Sequence, residues 1–419
     1  MINKLFTKKR ILIFVLFLYA IITSIVTTMD GGDFDVYLDA ARKMSQNENI
    51  YAPPYKTMPF FYSNFFAFIL IPFSHTIFLT ELIWSLVSYL FLYRTFRLLE
   101  GYFDFTFLSL KEYKIWLILT VFLSIQFILY NVGMIQITFF LLWTIFESFH
   151  QLNKDKNTLA GIILGLSINI KIMPILMLPY LFYRGYFKSL FITIFTFIIL
   201  LFIPAIFIGF EYNNFLLSDW WKIINPTNKE HLFETGIGRH SLVALLPVYL
   251  TETIGEMNFK RNILNLNHNI VEIIINIVRL FFLVISIFFL RTFPFKKQDN
   301  KLNSIWEISY FILLIPLLLP HQGKYAFILA IPMLSYLVYF FINTYQIIKT
   351  TNYKIAFIFF IICCAFYSPF YGSDIIGNFL FRVTQHYRIL TIATILIIPI
   401  SLYCNPNRLQ TIIQTNSQK

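Results

Sequence analysis

Residues 11–39 read ILIFVLFLYAIITSIVTTMDGGDFDVYLD, an unbroken apolar run from Ile11 to Met29 that stops at an acidic knot. Crossing a hydrocarbon core of roughly 30 Å takes about 20 apolar helical residues, so this run is long enough to span. Its Ile, Leu, Phe and Val do not alternate with polar residues, which argues against a barrel strand. In lipid only helices and closed barrels satisfy their own backbone hydrogen bonds. Similar runs recur as far as Tyr403, in a chain of 419 residues that is 58% hydrophobic and 13% charged. Such a composition lies far outside the range of soluble domains. The sequence therefore predicts an all-α protein, a polytopic membrane helical bundle of about 12 transmembrane helices with outer-face loops and interfacial helices.

The net charge of +12 does not signal nucleic acid, because Lys and Arg do not pool in one basic region. They punctuate the ends of apolar runs, as the positive-inside bias requires. Lys4, Lys8, Lys9 and Arg10 hold the N-terminus inside, and no small-x-small cleavage site follows the first run. The segment from Asp30 to about Tyr62 then lies outside. Arg94 with Arg97, Lys111 with Lys114, Lys154 with Lys156, Arg184 with Lys188, and Arg291 with Lys296, Lys297 and Lys301 mark inner loops. The outer connections are an Asn131-Val132-Gly133 turn, a long polar loop from Glu211 to His240, a turn from Pro320 to Lys324, and a loop from Tyr371 to Arg388. Tyr37 to Ser45 has the spacing of a short interfacial helix, and Ser241 to Leu250 is too short to span and reads as half-embedded. Thr158 to Tyr183 is flanked by cations at both ends and predicts a short hairpin bent around Lys171 and Pro174. No linker divides the chain, which gives one membrane domain over 1–404 and a cytoplasmic tail over 405–419. Cys363, Cys364 and Cys404 lack ligand spacing, so neither a disulfide framework nor a metal site is indicated.

Four carboxylates, Asp30, Asp33, Asp35 and Asp39, crowd the start of the first outer segment of a chain that is otherwise poor in charge. The topology puts them on the same side as Lys171, the Arg239-His240 pair, and His321 with Lys324. A carboxylate at the water boundary can take the proton from an attacking hydroxyl, while cations and histidine N–H groups hold a departing phosphate. No Gly-x-x-x-x-Gly-Lys loop or Gly-x-Gly-x-x-Gly module is present, so a nucleotide is not called for. Blander assignments fit the same residues. The knot can be a solvated loop that caps a helix, with Asp35 as the cap; Lys171 can snorkel to the interface; Trp220 and Trp221 can belong to an interfacial belt.

The order of the motifs resembles glycosyltransferase family 87, integral membrane enzymes of the GT-C fold that use a polyprenyl-phosphate-linked mannose as donor. DFDVYLDAA from Asp33 to Ala41, then Ile50-Tyr51-Ala52-Pro53 and Phe60-Phe61-Tyr62-Ser63, are similar to the family's first outer loop, with Ser63-Asn64 where it has proline. Asn131-Val132-Gly133-Met134-Ile135-Gln136 looks like its N-x-G-Q-x-N, and AGIILGLSINIKIMP from Ala160 to Pro174 its A-G-x-x-L-G-x-A-x-x-x-K-x-x-P. His240-Ser241-Leu242 and Pro320-His321 stand at its two late elements, and the resemblance runs from about Lys4 to Ser401. It implies Asp33 as catalytic base with Asp35 in reserve, and His321 as the late histidine. Asp35, Tyr37, Tyr62, Lys171, Arg239, His240 and Lys324 would then hold substrate. It further implies an inverting hexosyltransferase of the inner (plasma) membrane working on its extracytoplasmic face, between a polyprenyl-phosphate sugar and a lipid or glycan acceptor. Membrane lipids surround it, and neither cofactor, metal nor nucleic acid is expected. A polytopic transporter or lipid-linked sugar flippase is the competing class, for which Glu81 and the break at Lys171 to Pro174 are the only midplane candidates.

Overall fold

The computed structural model describes residues 2–55, 58–106, 108–225, 228, 232–236, 238–345, 347–348 and 350–417, with side chains from Phe14 to Ile412. Among them every regular element is helical. Six helices are long and apolar enough to cross a membrane, or eight if two sharply bent pairs each count as one crossing. The chain is a multi-pass membrane protein. The twelve crossings expected from the apolar runs are not confirmed, because four runs fold as helices of only 10–17 residues. The chain divides into two compact units.

The first unit comprises Met1–Arg97, Leu129–Ile172 and Phe191–Asn225. Helix α1 (Ile2–Asp30) turns by 58° at Gly31-Gly32 into α2 (Phe34–Ser45). The helix read from Tyr37 to Ser45 is thus present and begins three residues earlier. One face of α2 is buried through Phe34, Tyr37, Leu38, Ala41 and Met44, against α3 (Asn64–Leu70). Helix α4 (Ile77–Glu100) carries Arg94, which pairs with Glu147 on α6 (Thr138–Leu152) at 3.0 Å. In chain order α5 (Leu110–Gly133) comes between them; most of it belongs to the second unit, and its length corrects one reading: Asn131 to Gly133 are helical, and the turn falls at Met134-Ile135.

Helix α7 (Asn157–Ile170) lies along α6. Small residues let the backbones approach, as membrane helix contacts favour. Thr144 Oγ1 donates to Ser167 Oγ at 2.7 Å, and a Cβ at Gly165 would come within 2.6 Å of the Thr193 carbonyl oxygen. The break at Lys171 is as expected, followed by a 3-10 turn and α8 (Met177–Tyr183). After α9 (Phe187–Phe202) and α10 (Ala205–Ile208), the expected polar loop turns out to begin as helix α11 (Phe210–Ile224). Three of its residues meet the segment from Glu48 to Phe61. Tyr212 donates to the Glu48 carbonyl, Asp219 accepts from Asn49, and the Trp220 indole donates to the Phe61 carbonyl at 3.4 Å. Trp220 is buried and Trp221 exposed. Pro226 and Ile237, also read as loop, lie outside the described residues.

The second unit comprises Leu98–Ile128, Met173–Leu190 and Pro226–Lys419. Its centre is α14 (Lys301–Leu318), buried at every residue from Ser304 to Leu318. A helix apolar on all sides belongs inside a bundle. Around it pack α12 (Leu242–Leu250), α13 (His268–Leu290), α15 (Ile331–Thr344) and α18 (Ile389–Tyr403). Helix α12 is the short element anticipated from Ser241 to Leu250. Arg184, beside α8, closes on Glu307 of α14 with both Nε and Nη2 and also donates to the Leu290 carbonyl at 2.8 Å. Of the three remaining helices, α16 (Thr351–Tyr367) packs on α18, α17 (Ser373–His386) replaces most of the loop expected from Tyr371 to Arg388, and α19 (Pro406–Ser417) forms the C-terminal segment.

Candidate functional site

In the first unit the acidic knot is parcelled out rather than solvated as a block. Asp33 sits at the N-cap position of α2 but makes no capping hydrogen bond with its side chain. Its backbone N–H donates to the Met134 carbonyl at 2.9 Å, and its Oδ2 accepts from the Gln136 amide. Two connections, one after α1 and one after α5, therefore clamp the same residue. Their approach requires Gly32, where a Cβ would sit 2.7 Å from the Met134 oxygen. It also holds Ile135 at φ 49°, a left-handed conformation that is an outlier for a β-branched residue. Asp35 lies in the first turn of α2, where a carboxylate favours the helix dipole. Asp39 pairs with Arg42 at 3.3 Å, one turn along the same helix.

Tyr37, Tyr62 and Lys171 meet in a chain of contacts. The Tyr37 and Tyr62 hydroxyls lie 2.6 Å apart, and Lys171 Nζ donates to Tyr62 Oη at 3.2 Å while standing 4.9 Å from its ring centroid. Local sequence explains the meeting. Ser63 caps α3, accepting from Phe66 N–H at 3.2 Å, and donates to Asn169 at 2.9 Å. Asn64 donates to Asn213 at 2.6 Å. Ser63-Asn64, the departure from the family's proline, thus ties α3 to the end of α7 and sets Tyr62 beside Lys171. Burial pushes the Lys171 ammonium down to about 8, against the opposing pull of the Asp33 charge.

In the second unit the Pro320–Lys324 turn joins the segment before α12. His240 N–H donates to the Gln322 carbonyl at 2.7 Å. His321, at φ 60°, is held by Glu234, whose Oε2 accepts the His321 backbone N–H at 2.7 Å while Oε1 meets Nδ1. Tyr325 Oη donates to the His321 carbonyl at 3.0 Å. Burial would raise the Glu234 pKa, but the hydrogen bonds and charge of His321, with Arg239 adding, hold the carboxyl below its ordinary value. A carboxylate on Nδ1 puts the proton there and fixes the ring. Lys324 stands over the Tyr371 and Phe381 rings at 5.6 and 5.5 Å, a double cation–π contact.

His240 is fully buried, with Nε2 2.8 Å from the Gln385 oxygen and Nδ1 3.4 Å from Thr391 Oγ1. Burial, with the Arg388 and Lys324 charges, pushes it down to about 3. Its ring is neutral and spent on packing, whereas Arg239 is half-buried beside Glu234. Buried Arg388 donates to the Thr235 and Gly236 carbonyls at 2.9 and 2.6 Å, which fastens the stretch carrying Glu234.

The candidate residues thus fall into two sets, Asp33, Asp35, Tyr37, Tyr62 and Lys171 in one unit, and Arg239, His240, His321 and Lys324 in the other. Sequence reasoning missed Glu234 and Arg388, which carry no motif and lie far along the chain from His321 and Thr235. Gln136 was within reach, since it closes the Asn131–Gln136 element already singled out.

Residues 60–259 match Glycosyltransferase family 87. The matched stretch holds Tyr62, Gln136, Lys171, Glu234, Arg239 and His240; Asp33 and His321 flank it. The similarity read from the motifs is therefore found in the middle of the chain and indicates a glycosyltransferase. No curated protein and no solved structure matches the chain.

Proposed function

We propose, for a chain whose residues 60–259 match glycosyltransferase family 87, the transfer of a hexose, with mannose the first candidate, from a polyprenyl-phosphate donor to a lipid-linked or glycan acceptor. The work is done at the extracytoplasmic face of the inner (plasma) membrane. The acceptor hydroxyl attacks the anomeric carbon and gives its proton to the Asp33 carboxylate. The bond from that carbon to the phosphate oxygen breaks with inversion, and polyprenyl phosphate leaves with the electron pair. Lys171, with Tyr62 and Tyr37 behind it, supplies positive charge near the base, and the His321 ring, held at Nδ1 by Glu234, donates to the phosphate from Nε2 in its doubly protonated, imidazolium form. Lys324 and Arg239 add charge around that histidine.

One observation carries this reading. Asp33 occupies a capping position without capping, while a glutamine amide and a backbone carbonyl from another connection grip it. A loop that only capped a helix would send that carboxylate to the N–H groups of α2. Instead it is fixed from outside the helix, which is how a general base is kept in register.

The test is transfer of label from polyprenyl-phosphate hexoses in membranes holding either the wild type or Asp33→Asn. Loss of a general base is expected to slow transfer by about 10²–10⁴-fold. Undiminished transfer by Asp33→Asn would remove Asp33 from the chemistry. Solute accumulation without consumption of prenyl-linked sugar would favour transport.

A further inference from the structure

Arg279 lies near the middle of α13, a helix of 23 residues long and apolar enough to span. At 1.5 Å per residue it sits roughly 16 Å from the start of a helix about 33 Å long. Its neighbours in sequence are Val278, Leu280 and Phe281, and the nearest polar residue of the helix is the uncharged Asn276, one turn earlier. Yet it is not on the lipid face. The buried residues of α13 are Val271, Ile275, Phe282, Ser286, Phe289 and Leu290, and Arg279 falls four after Ile275 and three before Phe282, in the same stripe. Val271 and Ile275 pack with Leu232 and Val243 under the segment that carries Glu234.

The guanidinium is half-buried, its Nε has no hydrogen-bond partner, and among the described residues it makes no ion pair. Only the Glu234 charge reaches it. Both Glu234 oxygens are already engaged by His321. Arginine stays protonated, so it cannot escape an apolar setting by losing its charge. An ionised side chain at this depth is a cost to folding and is retained for a partner. A planar fork of N–H donors suits a phosphate, which it grips bidentately.

We propose that Arg279 is an intramembrane anion-binding residue that receives the phosphate of a lipid-borne ligand. The proposal rests on the reading above, in which that ligand is the donor and its phosphate comes to lie between Arg279 and the His321 imidazole. The depth selects a phosphate that arrives on an acyl or prenyl chain. Glu234 orients the histidine and partly neutralises Arg279 until the phosphate enters.

Binding is measured on the full chain in detergent with farnesyl phosphate as probe, and with farnesol, inorganic phosphate and a short-chain phosphatidylglycerol as comparison arms. Farnesyl phosphate is expected to bind and raise the melting temperature, while farnesol and inorganic phosphate do neither and phosphatidylglycerol binds at least tenfold more weakly. Arg279→Gln should weaken farnesyl phosphate by about tenfold or more, as loss of a charged hydrogen-bond pair does. Arg279→Lys, which keeps a charge, should stay closer to the wild type. Arg279→Met guards against misfolding, since an apolar chain suits the site, and without ligand it should melt no lower than the wild type.

Unchanged affinity in Arg279→Gln, or a clear drop in the melting temperature of ligand-free Arg279→Met, would overturn the proposal; the second result would make Arg279 a structural counter-charge for Glu234. Equal binding of inorganic phosphate would overturn the lipid-borne ligand, and equal binding of phosphatidylglycerol would replace the donor by a bilayer phospholipid. None of these outcomes depends on transfer, so failure here leaves the Asp33→Asn comparison intact, and failure there leaves this binding result intact.

Discussion

Lys171 carries two roles whose pH dependences run in opposite directions. Burial lowers its pKa from 10.5 to about 8. The unfolded chain then holds the proton more tightly than the folded one, so stability rises as pH goes from about 8 to about 10.5. If the same ammonium supplies charge to the transfer step, activity falls as pH climbs through about 8, just as the fold gains. Rate profiles and melting curves taken together between pH 7 and 9.5 test this, and Lys171→Arg should move the falling limb out of range because guanidinium keeps its proton. A flat wild-type rate profile would free Lys171 from the chemistry. His240 makes a contrast close to the second group of candidates. Neutral, buried and bonded on both ring nitrogens, it contributes stability that is lost with acid, since its folded pKa of about 3 lies below the ordinary 6.5.

The clamp on Asp33 belongs to two connections, the Gly31-Gly32 corner after α1 and the Met134–Gln136 turn after α5, and it is the steric tightness of their contact that makes it specific. Gly32→Ala puts a Cβ 2.7 Å from the Met134 oxygen, so one connection must give way. Overpacking of this kind costs about 1–3 kcal/mol. The larger effect is on transfer, since a displacement of about 1 Å at a reacting group can cost about 10²-fold. Gly133→Ala is the control, because a Cβ there meets nothing within 4 Å and the residue is helical. Equal activity of the two variants in the labelled-sugar assay would show that the contact does not matter. How much of this could be read in advance follows from the kind of signal each element carries. Helices α2 and α12 announce themselves by amphipathic spacing or by length between breaks, and both are where the sequence puts them. Helix α11 does not, because Glu211, Tyr212, Asn213, Asn214 and Asp219 look like loop residues, and only the structure shows Glu48 and Asn49 as partners of Tyr212 and Asp219. The same limit applies to the site. Asp33, Lys171 and His321 are marked by charge in an apolar chain, whereas Gln136, Glu234 and Arg388 act only through contacts between distant segments.

The charges flanking two spans give a test of whether both candidate groups face one aqueous side. By the positive-inside bias, the cationic start of α1 (Lys4, Lys8, Lys9, Arg10) and the cationic stretch before α14 (Arg291, Lys296, Lys297, Lys301) are each expected at the inner end of one crossing. One crossing from the first leads to Asp33, and one crossing from the second leads to His321. The two residues are therefore expected outside, by two arguments that share no helix. Single cysteines at Gln46 and Pro320, in a background with Cys363, Cys364 and Cys404 replaced by serine, should react with an impermeant maleimide in intact cells. Cysteines at Asp155 and Lys297, both exposed and both expected in inner loops, should react only after permeabilisation. Labelling of Gln46→Cys and Pro320→Cys from opposite sides would separate the base from the phosphate-holding histidine by the thickness of a bilayer. No arrangement of the two units would then let one substrate reach both, and the transfer mechanism would have to rest on the residues of the first unit alone.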